Sequence, residues 1–199
     1  MGRRPGFRSC LAVGLVCSAL IGPAAGTPVP GPSTVLVDPA TSRIGFDVWT
    51  RYGQRLEGVI PTFQGRVERL PDGQERFVVQ LHMASATMVG HPRFTRWMRG
   101  PDFFDVAQYP LAVFESVPGP PLPVGAAADV DGWLTLRGQR LPLRLRVQPA
   151  GCARPGYDCA VTGRGEVSRL AYGMERWQLA VSDRVTFVLQ VRLKGAESR

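Results

Sequence analysis

The chain has 199 residues, 24 of them Lys or Arg against 16 Asp or Glu, for a formal net charge of +8. Lys194 is the sole lysine, so the positive charge is arginine scattered along the chain; with no basic stripe and no aromatic RNA-binding motif, nucleic acid is excluded as a partner. No apolar run reaches the ~18–20 residues that span a bilayer as a helix, which removes helical membrane proteins from the candidates.

At the N-terminus Arg3, Arg4 and Arg8 precede an apolar run from Cys10 to Ile21, and Ala24-Ala25-Gly26 follow. A basic start, a short apolar stretch and small residues make the pattern of a cleaved secretory signal over residues 1–26. Two other readings compete: Arg3-Arg4 as a twin-arginine signal and Cys17 as a lipidation site. Pro5-Gly6 displaces Phe7 from the twin-arginine spacing, and Leu15-Val16 lacks the small residue that lipidation wants. Cleavage would remove three basic and no acidic residues, leaving a net charge of +5.

A Pro/Gly-rich lead, residues 27–33, comes next. Residues 34–195 suit one domain large enough to bury a core, with a short tail at 196–199. Ile44, Phe46 and Val48 share one face of a predicted strand, and alternation returns at Val79, Leu81 and Met83 beyond the turn Pro71-Asp72-Gly73. Residues 91–105 mix aromatic and basic side chains without alternation and predict the one helical insert, with Pro101 opening a second short turn. His82 falls on the wet face of its strand, at the surface or rim. Residues 118–123, rich in proline, read as a long loop.

After the turn Arg137-Gly138-Gln139, Leu141, Leu143, Leu145 and Val147 alternate with Arg140, Arg144 and Arg146, as one buried and one wet face require. The last strand carries Val185, Phe187, Leu189, Val191 and Leu193 on one face. Between these strands the mature chain's two cysteines, Cys152 and Cys159, flank a Pro155-Gly156 turn. In an oxidising compartment they predict a disulfide stapling a hairpin loop; Cys-x-x-Cys spacing is absent and only His82 and His91 stand by as metal ligands. About eight strands and one helical insert must either stack as two sheets or close into a barrel, and closure leaves no free edges.

Val37-Asp38-Pro39-Ala40 before Gly45-Phe46-Asp47-Val48, Ala84-Ser85-Ala86-Thr87, the run from Arg99 to Phe104 with Tyr109-Pro110 and Phe114-Glu115-Ser116, and Leu134-Thr135-Leu136-Arg137-Gly138 together resemble the YceI-like family. Gly165 to Arg169 and Tyr172-Gly173-Met174 extend the likeness, in order, over residues 34 to 194. The resemblance implies an all-β, antiparallel, up-and-down lipocalin-like barrel of about eight strands with one short helical insert. It also implies a periplasmic location, with secretion as the alternative, and a long apolar channel for a polyisoprenoid or other lipid-like chain, with no cofactor. The chain departs from the family where histidines are common: Thr41 and Thr50 stand near the first strand, and Phe94, Thr95 and Trp97 in the insert, while Arg99 is kept.

Candidate channel residues are Phe46, Val48, Phe63, Leu81, Met83, Phe103, Phe104 and Phe114, each of which serves equally as packed core. Arg93, Arg99 and His91 are candidates for a polar head group, since guanidinium forks match phosphate or carboxylate. No Gly-x-Ser-x-Gly elbow, histidine cluster or phosphate-cradling loop marks a catalytic centre, and no metal site is expected. The reading is a non-catalytic carrier of an isoprenoid or lipid-like small molecule. Its alternatives are an accessory to a membrane redox or lipid-processing complex, using Trp49 or Trp177 as anchors, and, behind that, a lipid-modifying enzyme. Transient contact with a membrane or membrane protein, and a homodimer, are compatible with it.

Overall fold

The computed structural model describes residues 33–195; the predicted signal, most of the lead and the tail lie outside the described residues. Eleven strand segments occur in chain order: β1 (Ser33–Leu36), β2 (Arg43–Thr50), β3 (Arg55–Val59), β4 (Phe63–Arg69), β5 (Glu75–His82), β6 (Thr87–Met88), then helix α1 (Pro92–Arg99), β7 (Leu111–Ser116), β8 (Ala128–Leu136), β9 (Gln139–Val147), β10 (Val161–Ser168) and β11 (Val181–Val191). They form one antiparallel sheet in the order β1-β4-β5-β7-β8-β9-β10-β11-β2-β3-β6.

The two ends of that order are the same three strands, each broken once. β1 and β2 are halves of one strand, interrupted where Asp38 accepts hydrogen bonds from the Ala40 N–H and the Thr41 hydroxyl and turns the chain, as Asx residues do. Pro61, with no N–H to give, interrupts β3 and β4. A 3-10 turn at Met83–Ser85 interrupts β5 and β6, held by the Ser85 hydroxyl donating to the His82 carbonyl. Ladder bonds run past the breaks: Val37 N–H to Gly65 O, Ile60 N–H to Ile44 O and His82 N–H to Thr62 O. Eleven segments are therefore eight strands. The last closes on the first, with Phe187 opposite Phe46 and a bridge from Val37 to Leu193.

Two sequence expectations shift in detail. Met83 is buried as its alternation predicts, but in the 3-10 turn and not in the strand. The helical insert is shorter than residues 91–105: α1 stops at Arg99, because Gly100 takes an extended backbone and Pro101 follows.

Alternate residues point inward and fill the middle of the barrel by setting large against small. A Cβ on Gly58 would run into the Phe46 ring, one on Gly132 into the Phe114 ring, and one on Gly165 would lie 2.7 Å from Leu145. Phe46 packs edge-on against Phe104 at 5.6 Å between ring centroids and beside Phe187 at 6.2 Å. Outside, arginine–carboxylate pairs lie along and between strands: Glu68 with Arg66 on its own strand and Arg76 on the next, Asp131 with Arg144. The bonds from Arg66 and Arg76 hold the Glu68 carboxyl below its ordinary range. Such exposed pairs are worth about 0–1 kcal/mol each and set register more than stability.

The predicted disulfide is present. Cys152 and Cys159 are joined with their Cα atoms 6.1 Å apart, and the loop they close is tied to the barrel where the Leu193 N–H donates to Gly156 O at 2.7 Å.

The large-on-small packing predicts that Gly58→Ala lowers unfolding free energy by about 1–3 kcal/mol through overpacking. Adding Phe46→Leu should make the pair clearly less destabilised than the sum of the single changes. Urea unfolding of the three variants measures both; simple additivity would show that the ring does not bear on that glycine.

Candidate ligand cavity

The barrel is solid at its waist and open at both ends. Toward α1 lies a cavity of about 340 Å³, walled by Phe46, Val48, Leu56, Leu136, Val167 and Phe187 from the strands, and by Met98, Phe103 and Phe104 from the insert. At the disulfide end lies a second, of about 480 Å³, bounded by Val67, Phe77, Leu145 and Val191, the proline-rich loop 118–123 and Tyr157. Both sizes are within the ~300–1,000 Å³ of small-molecule sites. They share no lining residue. Between them Phe63, Val79, Leu81, Phe114, Leu134 and Leu143 are all buried. The long channel implied by the resemblance is thus two chambers with a packed floor, because aromatic rings lie over the inward glycines.

The candidate channel residues divide accordingly. Phe46, Val48, Phe103 and Phe104 line the helix-end cavity; Phe63, Leu81, Met83 and Phe114 line neither chamber and pack in the core. Of the head-group candidates, none lines a cavity. Arg93 is exposed on α1. Arg99 donates from Nε to the Ala86 carbonyl at 2.8 Å, and His91 stacks on Phe94 at 5.1 Å. The two threonines standing for histidines lie at opposite ends. Thr41 serves the turn at Asp38, whereas Thr50 lines the helix-end cavity and accepts from the Gln54 N–H. Thr95 pins α1 to β6, its hydroxyl oxygen accepting from the Met88 N–H at 2.8 Å.

A residue that carried no assigned role in the sequence dominates this wall. Arg169 is only 2% exposed. Its guanidinium donates to four backbone carbonyls, those of Ser182 (2.9 Å), Arg176 (2.8 Å), Val181 (3.1 Å) and Met174, and it lies 5.9 Å from the centre of the Phe103 ring. Desolvation pulls its pKa down, opposed by the charge of Asp183. These bonds commit the group to holding residues 174–182 in place. The signal was available: Gly163, Gly165, Val167 and Arg169 continue one alternation, so Arg169 points inward. Beside it Tyr172 is buried, which pushes its hydroxyl up to about 12. Arg137 ties the Gly173 and Pro101 carbonyls together across the same end.

The cavity mouth is aromatic. Trp97 of α1 stacks on Trp177 with ring centroids 5.6 Å apart and planes 14° from parallel, and Phe94 continues the stack at 5.6 Å from Trp97. Among the described residues no group of three His, Cys, Asp or Glu side chains could hold a metal ion.

Arg169→Met should cost about 3 kcal/mol or more, since several buried carbonyls lose their donor at about 1–3 kcal/mol apiece. Arg99→Met, which releases a single carbonyl, should cost about 1 kcal/mol. Chemical unfolding compares them; equal losses would show that Arg169 does not hold the wall.

A family model described as a YceI-like domain matches residues 36–193. No curated protein shows significant similarity to the chain. Among solved structures, BcnA of Burkholderia cenocepacia is similar, with 23% identity and a TM-score of 0.63 over 78% of this chain and 98% of that one. A polyisoprenoid binding domain from Saccharophagus degradans, implicated in plant cell wall breakdown, matches at 16% identity and a TM-score of 0.58, over 81% and 98% of the two chains. A Campylobacter jejuni YceI protein matches at 17% identity and a TM-score of 0.55, over 70% and 85%.

Proposed function

The chain belongs to the YceI-like domain family, and on that premise we propose that it is a non-catalytic binding protein that holds an isoprenoid or other lipid-like chain in the helix-end cavity. The observation that carries this reading is the lining: a largely apolar wall whose one charged group, Arg169, directs four of its five N–H donors to backbone carbonyls. No His, Cys, Asp, Glu or Lys stands in that wall to serve as a base or to activate the hydroxyls of Thr50 and Tyr52. It offers desolvation, at ~0.8 kcal/mol for each methylene removed from water. A guest burying about ten methylenes would gain roughly 8 kcal/mol before the cost of immobilising it.

The disulfide-end cavity is larger, but Arg69, Glu75, Asp129 and Asp131 stand around it, which suits a saturated chain less well. The disulfide fits an exported protein, and the periplasm is the compartment proposed. Release leaves the guest chemically unchanged.

Protein purified from its own compartment and extracted with organic solvent should yield, by mass spectrometry, one apolar guest in near-stoichiometric amount. Val185→Phe, which pushes a ring into the cavity, should lower uptake of a fluorescent isoprenoid by roughly tenfold, equal to about 1.4 kcal/mol, while cooperative unfolding is kept. Empty protein that also takes up no added isoprenoid or acyl chain would overturn the reading.

A further inference from the structure

Some exposed apolar side chains, Trp49, Val89, Leu111 and Trp133, stand outside the two end groups; the others gather by type. At the disulfide end they are aliphatic: Leu36, Val117 and Val124. Around the helix-end mouth they are aromatic, with Tyr52 91% exposed and Trp97 and Trp177 each about half exposed, joined by Leu179 at 93%. One surface holds them. The Trp97–Trp177 stack links α1 to the loop after β10. Arg51 links that loop to the β2–β3 turn, its N–H donating to Ala180 O at 2.9 Å and its Nε to Gln178 O at 3.2 Å. Trp177 adopts a left-handed backbone, φ 64°, and its carbonyl accepts from the N–H groups of Ala180 and Val181. That tight turn holds Leu179 at its apex.

The charge around this rim is positive and largely uncommitted. Arg51, Arg93 and Arg96 enter no ion pair among the described residues; of the acids nearby, Asp102 is engaged with Arg176 at 3.6 Å and Asp183 accepts from the Ser168 hydroxyl and the Leu170 N–H, leaving Glu175 and Asp105. Amphipathic Trp and Tyr rings seat at the depth of lipid headgroups, and arginine stems lie along apolar surface while their heads reach phosphate. An apolar apex, a ring of Trp and Tyr, and free guanidinium groups are together complementary to an anionic bilayer surface.

We propose that the helix-end rim, with Leu179 at its apex, docks on an anionic lipid bilayer, so that the cavity mouth opens against the membrane and its guest passes between the two without crossing water. The passage of a guest rests on the function proposed above; the docking does not. Each arginine near such a surface contributes attraction that salt screens.

The test floats the mature protein with phosphatidylcholine vesicles, with and without phosphatidylglycerol. Binding is expected only with the anionic lipid, weakening as salt rises. The triple variant Arg93→Glu, Arg96→Glu, Leu179→Glu, its folding checked by thermal unfolding, should bind on the order of tenfold more weakly or less. Val124→Glu, at the far end, should bind as the parent does. The triple variant should still load a fluorescent isoprenoid added from solvent, yet load it more slowly from vesicles. Failure of the parent to float with either vesicle would overturn the proposal, as would equal binding by the two variants. So would a dimer, seen by sedimentation, that the triple variant disperses, since the rim would then be a contact between copies. A protein that floats but takes no guest would leave the docking face standing and remove the proposed function instead.

Discussion

The packing of Phe46 across the backbone of Gly58, and of Phe114 across Gly132, fixes where this barrel is solid and where it is open. An eight-stranded barrel encloses a bore about as wide as the side chains that fill it. The Phe114 ring over Gly132 fills the waist, and the Phe46 ring over Gly58 borders the helix-end cavity. Toward each end space remains, walled at the helix end by aromatic and aliphatic side chains and at the other by aliphatic ones and the proline-rich loop. Two chambers with no shared wall are therefore a consequence of where glycine faces phenylalanine, and any ligand chemistry is confined to one end or the other.

Charge in this protein is handled in two ways that correspond to depth. On the outer faces arginine meets carboxylate across neighbouring strands, in pairs that cost little to make and little to lose. At the helix end Arg169 is buried with its hydrogen bonds directed to main-chain oxygens, and its burial is compensated by geometry more than by an opposite charge. An arginine does this better than a lysine because its planar fork presents several fixed donors at once. The loop bearing Trp177 is thereby anchored from beneath while its upper side stays bare.

Much of the fold was legible in the alternation. Ile44, Phe46 and Val48, the leucines of residues 141–147, and Val185 to Val191 all face the interior as read. Period-two patterning does not register a break, however, when the chain resumes the same face afterwards: Val79, Leu81 and Met83 run without interruption into a 3-10 turn. Nor does it separate cavity wall from core. Phe46 and Phe63 have the same pattern and similar burial, and only the residues opposite them decide which meets empty space. Arg93 and Arg99 stand alike in the sequence as head-group candidates, but helical geometry sends Arg99 back to the Ala86 carbonyl and leaves Arg93, with Arg96, outward. Arg169 was readable from its parity just past β10, and its partners were not, since they are main-chain oxygens whose direction depends on how the following loop folds back.

The two ends of the barrel are fastened very unequally. At one, the loop closed by Cys152–Cys159 is held to the chain just beyond the final strand by the bond from the Leu193 N–H to Gly156 O. At the other, β3 and β6 pair at Gly58–Met88 and Val59–Thr87, with one further bond from the Val89 N–H to Glu57 O, so few main-chain contacts stand between a shut wall and a parted one. Opening energies follow what must be broken locally. The seam beside β6 is therefore the place where the barrel has least to break, while the buried strands of the waist have most.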